Sequence, residues 1–336
     1  MLRRILAAAV LVALALALLV IAWPQLFGQQ RTPGVAQLVS LRGLGIAVAV
    51  AAIVALGFVV VLSRRIRRFA ASVAVLLIGF ALINTAVIAT RGIGDLGFAT
   101  AAPRSVTVLA WNTLGDAPGA EAIAELAIDS GADVVALPET TNATGQAVAD
   151  AMGLGGRPMQ AFTVAFDQVS KARSTTLLIS TELGPYVVDQ EEPNSAVLPT
   201  VIARPVSGGG PTIMAVHLVA PIPGELQHWT EDLSWLASAC SEPSTIIAGD
   251  FNSTVDHFSG LATSDGATLG DCVDAASVSD NAGVGTWPTA LPALLGAPID
   301  HVMATSNWTV TGMRVIENYD KHGSDHRPVL AQLTPR

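Results

Sequence analysis

The sequence predicts an α/β domain preceded by three transmembrane helices, and three observations carry that prediction. The first hundred residues hold three long uncharged apolar stretches; from residue 105 onward, short β-rich runs alternate with segments of helical period; and charge divides at the same place. Residues 1–100 carry nine arginines against one acid, a net +8, whereas residues 101–336 carry nine basic residues against twenty-six acids, a net −17. Two materials of such different composition are two structural units.

Ile5–Trp23, Leu44–Leu62 and Phe69–Thr90 are each long enough to cross a hydrocarbon core of about 30 Å at about 1.5 Å per residue. The first could instead be a signal peptide. Its apolar part exceeds the usual length for one, no small-x-small cleavage site follows, and two further spans come after it, so retention is expected. Arg3 and Arg4 precede the first span, and Arg64, Arg65, Arg67 and Arg68 fill the second connection, against only Arg31 and Arg42 in the first. The dense clusters belong on the cytoplasmic side. A multi-pass membrane protein is therefore expected, with its N-terminus cytoplasmic and its C-terminal domain outside. Asn84 and Thr85, inside the third span, are expected to bond backbone or a neighbouring helix.

Beyond a linker over 91–104, residues 105–336 contain the soluble elements. SVTVLAWN is a strand ending at Asn112, Gly119 to Ser130 repeats Ala, Ile and Leu at helical spacing with Gly131 to close it, and DVVALPE is a buried strand. STTLLIS, YVVD, AVLPTVIARPV and TIMAVHLV follow as strands, with SGGG at 207–210 as a hairpin turn. Glu225 to Ala239 is a second helix, with Leu226, Trp229, Leu233 and Leu236 on one face. Mixed strands with flanking helices over about 230 residues suit one domain. Cys240 and Cys272, the two cysteines of the chain, both lie in it. On the oxidising side of a membrane they allow one disulfide closing a loop around residues 246–252; two separate buried thiols are the alternative.

The run IIAGDFN at 246–252 is the most informative segment. Two β-branched residues and two small ones build a buried strand, which delivers Asp250 and Asn252 to a sharp turn with both side chains on one side. Five further strand margins behave alike: Asn112 after SVTVLAW, Glu139 after DVVALP, His217 in TIMAVHLVAP, Asp300 in APIDHVMA, and Asp325 with His326 before PVLAQL. Ionisable groups at the ends of apolar strands are costly without a partner or a metal.

Taken in order, Asn, Glu, His, Asp-x-Asn, Asp and Ser-Asp-His resemble the endonuclease/exonuclease/phosphatase superfamily of DNase I-like proteins, across residues 105–336, with GDFN and SDHRPV the most specific pieces. The resemblance implies a four-layer α/β sandwich, two packed mixed sheets flanked by helices, with the site at one end where strand exits converge. It implies a Mg²⁺ (or Mn²⁺) cofactor with Glu139 as principal ligand and Asn112 and Asp325 beside it, a hard-oxygen set that leaves room for water and substrate phosphate. It implies that Asp250 and His326 share activation of the attacking water, that Asp300 orients His326, and that Asn252 and His217 bind the non-bridging phosphate oxygens. Ser324 is expected to cap the turn holding Asp325 and His326.

The remaining histidines and tryptophans have ordinary expectations. His301, next to Asp300 on a strand, should face away from the site; His228, His257 and His322 should lie at the surface, with His257 near enough to GDFN to line the rim. Trp111, Trp229 and Trp287 either wall a lipid chain or pack the core. Apurinic endonucleases carry an acid two residues beyond the motif asparagine, where this chain has Leu114. Three spans, an external domain and the pairing of APIDHV with SDHRPV resemble a membrane-anchored bacterial subgroup that includes VanJ-type glycopeptide-resistance proteins, which act on polyprenyl pyrophosphate. The expected activity is metal-dependent hydrolysis of a phosphoric ester or anhydride, lipid-linked, at the outer face of the bilayer. An extracytoplasmic nuclease on DNA or RNA is the alternative, disfavoured because an acidic domain is a poor counterion for a polyphosphate. An inactive binding module is a third reading, opposed by the presence of every motif acid and histidine. No protein partner is implied.

Overall fold

A computed structural model describes residues 1–94, 97–189 and 194–336. Three helices long and apolar enough to cross a membrane occupy the first region: α1 (Leu2–Ala22), α3 (Arg42–Leu62) and α4 (Arg67–Arg91). Each matches an expected span to within a few residues. Between α1 and α3 the chain is more ordered than its sequence suggested. Pro24 starts a 3₁₀ turn over Pro24–Phe27 that Gly28 ends at φ +64°, and Gly34, whose N–H bonds the Gln37 side chain, opens α2 (Val35–Ser40). Ala36 of α2 is fully buried within the apolar cluster of the following domain, so this connection docks on it.

The domain contains β1 (Val106–Ala110), α5 (Gly119–Asp129), β2 (Val134–Pro138), α6 (Asn142–Leu154), β3 (Met159–Ala165), β4 (Ser174–Ser180), β5 (Tyr186–Val188), β6 (Val201–Pro205), β7 (Thr212–His217), α7 (Leu226–Ala239), β8 (Thr245–Asp250), β9 (Cys272–Asp274), α8 (Ala275–Val278), β10 (Asp300–Thr305), β11 (Trp308–Val315) and β12 (Val329–Pro335). They form two six-stranded mixed sheets, ordered β11-β12-β1-β2-β4-β3 and β5-β6-β7-β8-β10-β9. Val108, Ala136 and Leu177 of one sheet meet Ala215, Ile246 and Val302 of the other in the central core. Outside, α5 and α6 cover the first sheet through Ile123, Val148 and Met152, and α7 covers the second through Trp229, Leu233 and Leu236. This is the expected four-layer α/β sandwich. Strands buried on both faces read as continuous apolar runs, which is why TIIAG and DVVALP do not alternate.

Several segments depart from the sequence reading. AVLPTVIARPV is a strand only over Val201–Pro205, because its first part is an irregular turn in which Asn194 Oδ1 accepts the N–H groups of Ser195 and Thr200. The helix α6 and the edge strands β3, β9 and β11 carry no distinct sequence signal, because they are short, partly exposed or weakly periodic. Residues 97–104 run along the domain, with Phe98 against Gly312 and the Ala99 N–H bonded to Thr311. Of the two cysteine alternatives, the disulfide is the one present: Cys240, capping α7, and Cys272, opening β9, are joined across a Cα–Cα distance of 5.5 Å.

Candidate active site

Strand register assembles the site. Parallel pairing of β7 with β8 sets His217 opposite Asp250, and antiparallel pairing of β8 with β10 sets Asp300 opposite Asp250 on the other side. In the first sheet, β1 and β2 run parallel and deliver Asn112 and Glu139 to the same end. The strand before Asp250 can lie this close to its neighbour only because residue 249 is glycine: at φ +138°, an added Cβ would sit 2.1 Å from the Val216 carbonyl. Asn252 (φ +46°) and Glu139 (φ +59°) both hold left-handed backbone that non-glycine residues rarely adopt, and such strain concentrates at functional sites.

Asp250 is the hub. Its Oδ1 accepts the Asn252 N–H at 2.8 Å and its Oδ2 accepts Asn112 Nδ2 at 3.0 Å. Asn112 Nδ2 also reaches Glu139 Oε1 at 3.2 Å, while Asn112 Oδ1 accepts the Leu114 N–H at 3.0 Å. With two carboxylates on one side and an N–H on the other, the amide can face only one way. Asn252 Nδ2 bonds the Leu218 carbonyl at 2.8 Å. His217 Nε2 stands 3.8 Å from both Asp250 Oδ2 and Glu139 Oε1, and His326 Nε2 is 3.8 Å from Asp250 Oδ2. His326 Nδ1 pairs with Asp300 Oδ2 at 2.9 Å. Ser324 Oγ accepts the His326 N–H at 3.0 Å and donates to the Asn112 carbonyl at 2.6 Å, stitching this turn to β1.

The electrostatics separate the buried groups. Burial alone would lower the His326 pKa, but Asp300 and Asp250 together carry it up to about 10, so the ring is an imidazolium at neutral pH. His217 is pushed the other way, down to about 3, by burial and by the charge on His326, and is neutral. Burial pushes the Asp250 carboxyl up to about 7 against the opposing effect of His326, and burial likewise raises Glu139. Buried acids and bases with separated pKa values are the usual material of proton transfer.

The donor set fits a hard divalent cation. Asp325 accepts from Trp287 Nε1 at 2.9 Å through Oδ2, but its buried Oδ1 has no hydrogen-bond partner among the described residues, and Glu139 and Asp325 lie close enough to repel. Two carboxylates with unused oxygens are what Mg²⁺ or Mn²⁺ takes from protein. Atoms of Asp250, Asp300 and His326 also lie within 4.8 Å of one another. There His326 Nδ1 is held by Asp300 Oδ2 and Asp250 Oδ2 by Asn112, the arrangement of an acid/base unit.

Every site residue expected from the sequence therefore comes to one end of the sandwich: Asn112, Glu139, His217, Asp250, Asn252, Asp300, Asp325 and His326. His301 faces away and is fully buried, its Nδ1 paired with Asp274 at 2.9 Å and its Nε2 with the Ser253 carbonyl at 2.8 Å. His228 is exposed beside Glu225, and His322 stacks on Tyr319. His257 corrects its expectation. It is fully buried rather than superficial, its Nε2 3.1 Å from the Ala36 carbonyl of α2 and its ring edge-on to Trp229, because the connection between α1 and α3 covers it. The three tryptophans brace the site from behind: Trp111 donates to the His326 carbonyl, Trp229 to Asn252 and Ser253, and Trp287 to Asp325. Thr286, whose hydroxyl accepts the Asp300 N–H, gave no signal in the sequence.

The profile described as the Endonuclease/Exonuclease/phosphatase family matches residues 109–326, and the chain belongs to that family. Among curated proteins, none matches the sequence significantly. Solved structures agree on the fold. A D. rerio TDP2 humanised by 14 mutations superposes with TM-score 0.51 at 17% identity, covering 68% of this chain and 99% of the other. An endonuclease/exonuclease/phosphatase family protein from Leptotrichia buccalis gives TM-score 0.50 at 12% identity over 68% of this chain and 99% of its own. The family consists of phosphoryl-transfer hydrolases and nucleases that depend on divalent metal, and this chain is a hydrolase of that class.

Proposed function

We propose that this protein hydrolyses a phosphoric ester or anhydride of a lipid at the outer face of the membrane, with magnesium or manganese. One observation carries the reading: the strand exits that bear the site lie at the end of the sandwich onto which the membrane helices dock. Gln37 of α2 bonds the Pro221 carbonyl in the loop after His217, and Arg31 bonds the His257 and Ser259 carbonyls in the loop after Asn252. A site held there meets lipid head groups at high local concentration. Leu114, Phe166 and Ile222, exposed on loops at that end, suit an apolar neighbour.

The cation would be held by Glu139 and Asp325, with Asn112 beside them, and when bound it supplies charge to the phosphate and lowers the pKa of water. The chain's own groups do the rest. Asp250 takes the proton of the attacking water, the imidazolium of His326, aligned by Asp300, faces the developing charge, and neutral His217 and Asn252, the latter by exchanging its 3.3 Å bond to Asp250 Oδ2, offer N–H groups to the non-bridging oxygens. Most of the cations that a nuclease would need are paired or lie away from the strand exits, Arg204 among them with Asp189 and Glu242. Arg157 bonds Asp133 at the opposite end of the strands, Lys171 pairs with Asp116, Arg173 with Asp167, and Arg314 lies over Phe98. Purified full-length protein with magnesium should cleave polyprenyl pyrophosphate faster than phospholipid, plasmid DNA or RNA offered side by side; faster cleavage of plasmid at matched salt would replace this reading with the nuclease. A reporter at Arg336 should be reachable from outside intact cells and one between Ser63 and Phe69 should not, and the reverse pattern would put the site in the cytoplasm.

A further inference from the structure

Asp256, four residues beyond Asn252, is 1% exposed, and its carboxylate is gripped from α3, from α4 and from the turn just past α1. Arg42, first residue of α3, donates through Nη2 to Oδ1 at 2.7 Å and through Nε to Oδ2 at 3.1 Å. Arg91, last residue of α4, donates to the same two oxygens at 2.6 and 2.8 Å. Gln25, just past α1, adds a bond of 2.5 Å to Oδ1. Arg42 also turns Nη1 to the Ala22 carbonyl at the end of α1 and to Asn84 Oδ1 within α4, at 2.9 and 2.6 Å. The polar residue in the third span is thereby accounted for. Asp256 at the start of α3 and Arg91 at the end of α4 each also suit the local helix dipole.

A flexible tether has no use for such a junction, since taking three charges out of water is costly and is offset only by close, fully bonded geometry. The loop it holds is the one that leaves the site. Asn252 is pinned by its side chain to Leu218 and by its carbonyl to Trp229, and four residues later the chain is seated in the bundle. We propose that Asp256 is a positioning residue: clamped by Arg42 and Arg91, it seats the loop carrying Asn252, so the packing of the membrane helices sets the geometry of the phosphate site. This role rests on the assignment of Asp250 and Asn252 to phosphate hydrolysis.

The test uses the full-length chain in mild detergent, with a protease site placed in the exposed segment Thr100–Arg104 and a short-chain prenyl pyrophosphate with magnesium as probe. After cleavage, wild-type bundle and domain should still co-elute and keep their kcat. Asp256→Asn should separate on cleavage and, before cleavage, lose about tenfold or more in kcat with KM within about twofold, as expected when a reacting group is displaced rather than substrate binding lost. Asp256→Glu should recover part of that loss, and Arg91→Gln added to Asp256→Asn should cost little more than Asp256→Asn alone. A merely structural residue would change the yield of folded protein and leave kcat per folded molecule intact. Cleaved wild type that falls apart with undiminished kcat overturns the proposal, as does Asp256→Asn at wild-type kcat. The cleaved wild type decides the matter even where a variant does not accumulate. Failure of the functional assignment looks different, because uncleaved wild type then turns over no phosphate, and this role falls with it.

Discussion

In the N-terminal bundle, α1, α3 and α4 turn Val, Leu and Phe outward and bury polar side chains only at Arg42 and Asn84; in the domain that follows, Asp250, Asp274, Asp300, His217, His301 and His326 are all nearly inaccessible. The bundle confines buried charge to Arg42 and its partners at one end, whereas the domain accepts it wherever a partner is available. Within the domain the accepted charges divide again. His301 and Asp274 neutralise one another away from the site, while Asp325 and Asp300 each keep a buried oxygen without a partner among the described residues. The mutually satisfied pair holds the fold, and the incomplete carboxylates at the strand exits are where a ligand can act.

The largest effect expected from that contrast is at the incomplete set. Glu139→Ala should lower kcat by roughly 10³-fold, with the far-ultraviolet spectrum and melting temperature nearly unchanged, because the phosphate charge loses its counterion. Chelation with EDTA should do the same to the wild type and be reversed by magnesium. Full activity in EDTA would remove the metal from the scheme.

Next is the pair that orients the histidine. Asp300→Asn should lower kcat by roughly 10²-fold, since the His326 ring loses both its alignment and the carboxylate that contributes most to keeping it charged. The sign of the pH effect follows: with that carboxylate gone the imidazolium deprotonates at lower pH, so the alkaline limb of the kcat profile should move down. An unmoved limb would show that another group governs it.

The disulfide sharpens the comparison from the side of stability. Cys272→Ser should cost about 2–4 kcal/mol through the freed loop, roughly 4–16 °C in melting temperature for a domain of this size, and leave α1, α3 and α4 helical. Differential scanning calorimetry with and without reductant separates this from a general loss of fold.

The smallest effect is at the satisfied pair. His301 is raised above its ordinary 6.5, burial being outweighed by Asp274, so its contribution is complete below pH 6.5 and fades as pH rises through the folded value. Asp274 is lowered from 3.8, with its burial outweighed by His301, so its contribution holds above pH 3.8 and is lost as pH falls through the folded value. Wild type minus Asp274→Asn in denaturation midpoint should therefore be greatest between about pH 4 and 6.5 and decline above, by at most about 1.4 kcal/mol per pH unit. A difference that grows with pH above 6.5 would show that His301 is neutral in the folded protein.

Much of this organisation was legible one segment at a time. The spans followed from uncharged length against bilayer thickness, which is a local property, and each strand exit from an apolar run meeting an acid, amide or imidazole. The sheets were half legible: the core strands announce themselves by continuous burial, but β3, β9 and β11, at or near sheet edges, do not.

What the amino-acid order alone determined was thus the inventory, three helices long and apolar enough to span a membrane and eight candidate site residues at the margins of strands. Tertiary structure decided how they meet. That His217 and Asp300 flank Asp250 depends on β7, β8 and β10 being neighbours in one register, and a shift of one residue would turn each side chain to the opposite face. That His257 is buried, and that Asp256 joins the domain to the bundle, depends on the first connection folding back onto a loop more than two hundred residues away. Strand order, register and docking are settled by contacts between distant segments competing for burial, and no local pattern carries them.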